Sequence, residues 1–338
     1  MRIRHFTWDS IVDDATWDRA VACYQNASLF HTSSWLKAIA RIRGYRLYRL
    51  KFANKAGAHF LCPLLVRRRG AIRVASSSFE ADGNQMGPLF SSCNPHIVQA
   101  ALHEWCLDHD VQYMVLASMD PQLEQWPQLS GIYFLPQRRR PTRRTYRVDT
   151  TVSIDAILAR SAKRFRATIR KAKRQGVQIS SWTETRDFDQ HLQLRSQFLR
   201  KKQSRPFLSN EDLEILVQAL ASDGRLRAYH ALVDGELATS LIVARGPHGY
   251  YGVDSVSHSA LLSTGAASAM YLHAFEAANL EGASYFDFTG GGSDSLVKFK
   301  ESTGAQYTPL FRHDLFYSKP SSLARIAGLY LLSLKRRI

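Results

Sequence analysis

The stretch that most limits what this chain can fold into is RLRAYHALVDGELATSLIVARGPHGYYGVDSVS, residues 225–257. It contains three strand-like runs separated by two turn signals. Asp234-Gly235 closes the first pair, and Gly246-Pro247 with Gly249 closes the second. A helical pattern follows from about Gly265 to Gly282, then a short strand, Ser284 to Phe288. An antiparallel meander followed by one helix and one more strand excludes a helical bundle. It is the signature of an α+β domain.

The same grammar is written, less clearly, nearer the N-terminus. Residues 1–30 read as a short helical lead-in, with Trp8, Ile11 and Trp17 at apolar positions. Thr32-Ser33-Ser34-Trp35 opens a helix, with Ser33 or Ser34 as its cap. Arg46–Phe52 and the run HFLCPLLV form a hairpin about a turn at residues 54–57. Residues 100–109 are helical, and 112–117 form a buried strand. Helix, antiparallel strands, helix, strand thus occurs twice, as two copies of one fold would require. Between the copies lies QRRRPTRRTYR, an exposed crossing. The second copy continues with a strand at 146–152, one long helix from Ile154 to Gly176, a strand at 177–182, and helices near 187–201 and 209–222. The expected domains are residues 1–145, residues 146–318, and a basic amphipathic helix at 319–338.

The 338 residues are 45% hydrophobic and 22% charged, enough apolar content for two packed cores. The formal net charge of +16 favours an anionic partner: nucleic acid, a phosphate-rich substrate or an acidic membrane face. The four cysteines, Cys23, Cys62, Cys93 and Cys106, include no CxxC pair and read as reduced, mostly buried thiols. The histidines are scattered, with no metal-ligand spacing, and no metal site is expected. The N-terminus lacks a signal-peptide pattern, and no run approaches the ~20 apolar residues of a membrane span. The expected location is cytoplasmic, with peripheral membrane contact through residues 321–338.

Several segments in fixed order carry a family resemblance. They are LFHTSSWLKAI, ADGNQMGPLF, YRVDTTVSIDAIL with FRATIRKAKRQGVQI, and LSTGAASAMYLHAFEAANLEGASYFDFTGGGSDSLVKFKESTGA. Together, over roughly residues 30–312, they resemble the FemAB-like branch of the GNAT acyltransferase superfamily. The resemblance implies two tandem GNAT-like domains, each a mixed, mainly antiparallel sheet flanked by helices. It also implies transfer of an acyl group to an amine, from aminoacyl-tRNA or from acyl-CoA, with no tightly bound cofactor. Two departures bear on the donor. The Ser-Pro-Gly usual before the helix at about 265–282 is Ser263-Thr264-Gly265. The phosphate loop of CoA-using GNATs is incomplete, because Leu262 occupies its first position.

Amide formation requires removal of a proton from the amine, stabilisation of the carbonyl oxygen, and a hold on the anionic carrier. Candidate catalytic residues are Asp287 at a strand end before Gly290–Gly292, Asp254 on the preceding strand, and Asp120 in an Asp-Pro pair. Lys298 and Lys300 join them, as neighbours on one face of a strand. Candidate phosphate or acceptor contacts are Thr264 and Gly265 at a helix start, Gly291, Lys37, Arg166 and Arg170. Arg166, Arg170, Lys173 and Arg174 share one face of a helix whose other face is Ala162, Phe165, Ile169 and Ala172. With the arginines at 138–140, 143 and 144 they make a polyanion surface.

Three functions remain open at this point. The first is an aminoacyl-tRNA-dependent transferase acting on an amine of a small peptide, nucleotide-linked or cell-envelope acceptor. The second is an acyl-CoA-dependent N-acyltransferase acting on a sugar or glycan amine. The third is a non-catalytic GNAT-derived scaffold that binds RNA or a membrane surface.

Overall fold

The computed structural model describes residues 6–55, 57, 59–70, 72–77, 86–90, 95–119, 138–140, 144–182, 184–202, 206–290 and 292–316, with backbone alone at 138–140, 144, 202, 313, 314 and 316. They fall into two compact units. Unit 1 lies within Met1–Arg143 and Pro309–Ile338, and unit 2 is Arg144–Thr308.

Unit 1 runs β1 (Phe6–Ser10), α1 (Asp14–Ala22), α2 (Ser33–Arg43), β2 (Arg46–Asn54), β3 (His59–Arg69), β4 (Ile72–Ser76), α3 (Pro95–Asp108), β5 (Tyr113–Ser118) and β6 (Arg138–Arg140). The lead-in is therefore a strand and a helix, not a helix alone. Trp8 sits on β1, which pairs with β2 along its whole length. Asp13 caps α1, its side chain accepting from Thr16 N. Thr32, one residue earlier than expected, is the N-cap of α2.

Unit 2 runs β7 (Arg144–Asp149), α4 (Ile154–Arg160), α5 (Lys163–Arg174), β8 (Gln178–Ser181), α6 (Thr185–Lys202), α7 (Asn210–Ser222), β9 (Leu226–Val233), β10 (Glu236–Arg245), β11 (Gly249–Ser257), α8 (Ala266–Leu280), β12 (Tyr285–Asp287), α9 (Asp294–Ser302) and β13 (Gln306–Pro309). The chain then enters β14 (Phe311–Phe316), which pairs with β5 and β6 in the first sheet. Asp234 and Gly235 both take positive φ, 50° and 79°, the two-residue turn that the β9–β10 hairpin needs.

The long helix expected at 154–176 is two helices. Ser161 and Ala162 are extended, with ψ of 156° and 149°. The chain breaks there because Ala162 N donates to Ser302 O at 2.9 Å. That tertiary bond replaces one helical bond, and no glycine or proline announces it. Arg166 closes the break by donating to the carbonyl oxygens of Leu158, at 3.1 Å, and Ser161.

The sheet orders are β1-β2-β3-β4-β5-β14-β6 and β13-β7-β12-β11-β10-β9-β8. In the first sheet β4 and β5 pair in parallel, in the second β11 and β12 do, and the other described pairings are antiparallel. The core of unit 2 joins Tyr229, Leu241, Val243 and Tyr250 of the sheet to Met270, Ala274 and Phe275 of α8. Each large apolar side chain buried there contributes about 1.5–3 kcal/mol. Helix α6 packs against β11, and α7 against β9. In unit 1, α3 lays Val98, Leu102 and Trp105 on Phe52, Phe60, Leu64 and Met114. Among the described residues no helix is long and apolar enough to cross a membrane.

Candidate functional site

Strand β12 lies between β7 and β11, and its parallel register with β11 ends at Tyr251 opposite Asp287. Beyond that point β11 continues to Ser257 while β12 stops. The chain leaves the sheet through Thr289 (φ 54°), Gly290 (φ 138°) and Gly292 (φ 81°). A β-branched residue at positive φ is strained. Thr289 is pinned by its amide on Asp287 Oδ1, at 2.7 Å, and by its hydroxyl on Gly252 O.

Asp287 is fully buried. Thr145 Oγ1 donates to its Oδ1 at 2.5 Å and Arg147 Nε to its Oδ2 at 2.8 Å. The Arg147 guanidinium lies over the Tyr285 ring, 4.0 Å from the centroid, and the Tyr251 and Tyr285 hydroxyls meet at 2.5 Å. Gly290 N donates to Thr145 Oγ1 at 3.2 Å. With three donors on its two oxygens, the Asp287 carboxylate fixes the start of the glycine loop.

That loop in turn holds Lys300, which is only 9% exposed. Its Nζ donates to Gly290 O and lies 5.6 Å from the Phe288 centroid. Burial pulls the lysine down to about 8, and the Asp287 charge resists that shift. Lys298 and Lys300 are not neighbours on a strand. They sit on α9, where residues two apart point to different sides. Lys298 is exposed, and its backbone carbonyl receives the Arg164 side chain.

Gly265, with φ 88°, is the N-cap of helix α8. A Cβ there would meet Thr168 O at 2.8 Å and Thr168 Cγ2 at 3.0 Å, so glycine is what lets α5 cross the start of α8. Thr264 Oγ1 donates to Leu261 O at 2.6 Å and accepts from Ala266 N at 3.3 Å. Arg164 and Lys171, one turn to either side of Thr168, share its side of the helix. Both are exposed, as are Lys163, Arg170, Lys173 and Arg174. Arg166 is half-buried, spent on the α4–α5 break.

Asp254 stands apart from this cluster. A bulge between Ile242 and Val243 of β10 sets Asp254 opposite Ile242 and leaves Val253 as the extra residue of β11. That turns Asp254 toward α6, where His191 Nε2 lies 3.1 Å and Arg195 Nε 2.7 Å from its Oδ2. Burial pushes the carboxyl up, but His191 and Arg195 more than offset this and hold it below the usual range. His191 Nδ1 meets Ser240 Oγ at 2.8 Å. Sequence reasoning missed His191 and Arg195. The available signal was their place, with Leu194 and Phe198, in one i, i+3, i+4, i+7 stripe of α6.

Lys37, in unit 1, pairs with Asp14 at 2.5 Å, and Asp14 also accepts from buried Arg49 at 2.7 Å. Cys62 and Cys106 are buried free thiols and Cys23 an exposed one. Asp120, Gly291, Cys93 and the helix expected at 319–338 lie outside the described residues. Among the described residues no group of His, Cys, Asp or Glu could hold a metal ion.

Residues 159–301 match the acetyltransferase (GNAT) domain family. No curated protein matches the chain by sequence. The chain is similar to the crystal structure of FemX, with TM-score 0.75 and 13% identity over 95% of this chain and 99% of that one. It is similar to the C-terminal domain of a putative lysylphosphatidylglycerol synthetase from Agrobacterium fabrum (TM-score 0.56, 11% identity, 94% and 96% covered). A tandem GNAT protein from the clavulanic acid biosynthesis pathway also matches, at TM-score 0.52 and 12% identity, with 93% and 99% covered.

Proposed function

We propose that this acyltransferase, a tandem GNAT chain of FemAB-like fold, takes an aminoacyl group from aminoacyl-tRNA and places it on a primary amine of a small peptide, nucleotide-linked or cell-envelope precursor. The observation that carries the reading is the crossing at Gly265, which sets the positive end of α8 beside the exposed cations of α5. The anionic carrier lies along that face, and Lys300 faces the transferred carbonyl. The amine, once it has lost a proton, forms the new C–N bond. The ester C–O bond breaks, and the ribose oxygen leaves with a proton. The Lys300 ammonium offsets the charge that develops on the carbonyl oxygen. The lysyl product in the name of the Agrobacterium neighbour supports an aminoacyl donor.

An acyl-CoA donor with a sugar or glycan amine as acceptor is the second reading. It is favoured by the match of residues 159–301 to the acetyltransferase (GNAT) domain family, since GNAT domains use acyl-CoA as a donor. Incubation with charged tRNA or with acyl-CoA, each with candidate amines, separates the two. The tRNA reading expects amine-dependent loss of the aminoacyl ester, and an inert charged tRNA beside a consumed acyl-CoA refutes it. Deleting residues 321–338 tests for peripheral membrane contact by vesicle co-sedimentation.

A further inference from the structure

Beside Asp254 lies a cavity of about 200 Å³, smaller than the ~300–1,000 Å³ of sites for drug-sized molecules. Its walls include Phe198 and Leu199 of α6, Phe207 and Leu208 of the α6–α7 connection, and Val256 of β11. Among the described residues one carboxylate, Asp254, lines this largely apolar space, with Arg195 and Ser255 beside it. The Asp254 side chain keeps a quarter of its surface exposed, 25%, although its donors are nearly buried. Both donors, His191 and Arg195, address Oδ2. Among the described residues none donates to Oδ1.

The Arg195 guanidinium is not available to a ligand. Its Nε is on Asp254, one terminal nitrogen donates to Asn210 Oδ1 at 2.6 Å, and the other donates to Leu208 O at 2.7 Å. It is a strut that ties α6, β11 and the connection together and keeps the carboxylate ionised. An ionised oxygen in an apolar pocket requires a donor, and a charged donor gives the stronger bond. The space is right for one amino-acid side chain.

We propose that the Asp254 cavity is a binding site for a free ammonium group borne on an apolar amino-acid residue, with the ammonium on Asp254 Oδ1 and the side chain among Phe198, Leu199, Phe207, Leu208 and Val256. Such a residue reaches the protein either as the transferred aminoacyl group or as the acceptor amine. The role in transfer rests on the acyl-transfer reading, but binding is measured without turnover.

The test is calorimetric titration of the full chain with phenylalaninamide. Saturable binding is expected, at least tenfold weaker for N-acetylphenylalaninamide, which lacks the ammonium, and for glycinamide, which lacks the side chain. Leu199→Trp fills the cavity and leaves the Asp254–Arg195–His191 network in place. It weakens phenylalaninamide at least tenfold, as does Asp254→Asn. Absence of saturable binding, equal binding of the N-acetyl compound, or indifference to Leu199→Trp overturns the proposal. Two turnover arms then identify the source: phenylalanyl- against glycyl-tRNA with a fixed acceptor, and phenylalaninamide against glycinamide with a fixed donor. Leu199→Trp loses discrimination in the first arm if the cavity holds the transferred residue, and in the second if it holds the acceptor. Unchanged discrimination in both arms overturns the proposal. Binding that persists while no donor is turned over leaves the site standing and refutes the acyl-transfer reading instead.

Discussion

The two units share one strand order and treat the end of its central parallel pair in opposite ways. In unit 1 the β4–β5 pairing is prolonged past Ser76 by Ser77 N on Val115 O, at 2.8 Å. A backbone segment then lies flat against the end of β5. A Cβ on Gly87 would fall 2.5 Å from Ser118 Cβ, and Met86, Leu89 and Phe90 of the segment are buried. In unit 2 the corresponding place holds a charged side chain. Asp287, in the register position of Val115, anchors Thr289 directly and Gly290 through Thr145, and Gly290 O receives buried Lys300. The same topology therefore yields an apolar plug in one copy and a polar, strained loop in the other. Fold and chemistry are separable here, as expected when function resides in particular side chains on a shared scaffold.

The sharpest way to break this contrast is to remove the anchor. Asp287→Ala leaves Arg147 without its carboxylate in a largely buried site and should cost about 3–5 kcal/mol in chemical denaturation. Val115→Ala, its counterpart, should cost roughly 1–2 kcal/mol. Equal losses would mean that the polar anchor is ordinary packing. Next in size, Lys300→Met should slow acyl transfer about 10²–10³-fold with the fold retained. Ser118→Ala, at the plugged end, should leave the rate within about twofold. Gly265→Ala forces a side chain into positive φ against Thr168 O. A loss of about 1–3 kcal/mol is expected by thermal unfolding, with weakened donor binding. Gly87→Ala should lower stability without touching donor affinity.

The smallest effect is a titration. Lys300 has its pKa lowered from 10.5 to about 8, so it is charged in both states below pH 8 and, above that, charged only when the chain is unfolded. The unfolded state then binds more protons, and stability should rise between about pH 8 and 10.5 relative to Lys300→Met. Transfer, which uses the cation, should instead decline as pH passes about 8, and Lys300→Arg should move that decline upward. A pH profile identical in wild type and Lys300→Arg removes Lys300 from the reaction.

The sequence made the scaffold legible wherever periodicity was local. The β9–β11 meander, α8 and the duplicated order of elements all follow from spacing and turn residues. What was not legible depended on distant partners. Nothing near Ser161 foretells its bond-mediated break, because the cause is Ser302. The spacing of Lys298 and Lys300 suits one face of a strand, and the nine-residue helix Asp294–Ser302 that carries them is too short to show its own periodicity. Asp287 and Lys300 were found through a motif. Thr145, Arg147, His191 and Arg195, which hold the candidate carboxylates, come from other elements and were invisible until β7 and α6 were placed beside them.

The return of the chain into the first sheet sets an order of assembly. Unit 2 is one uninterrupted segment, Arg144–Thr308, whereas the first sheet lacks the neighbour of β5 until Phe311–Phe316 has been made. On a ribosome the first-synthesised half must therefore wait, with the edge of β5 open, while the second half is completed. The N-terminal half of the molecule is then the last to close, reversing the usual vectorial order, and the exposed edge is where a stalled or truncated chain would aggregate.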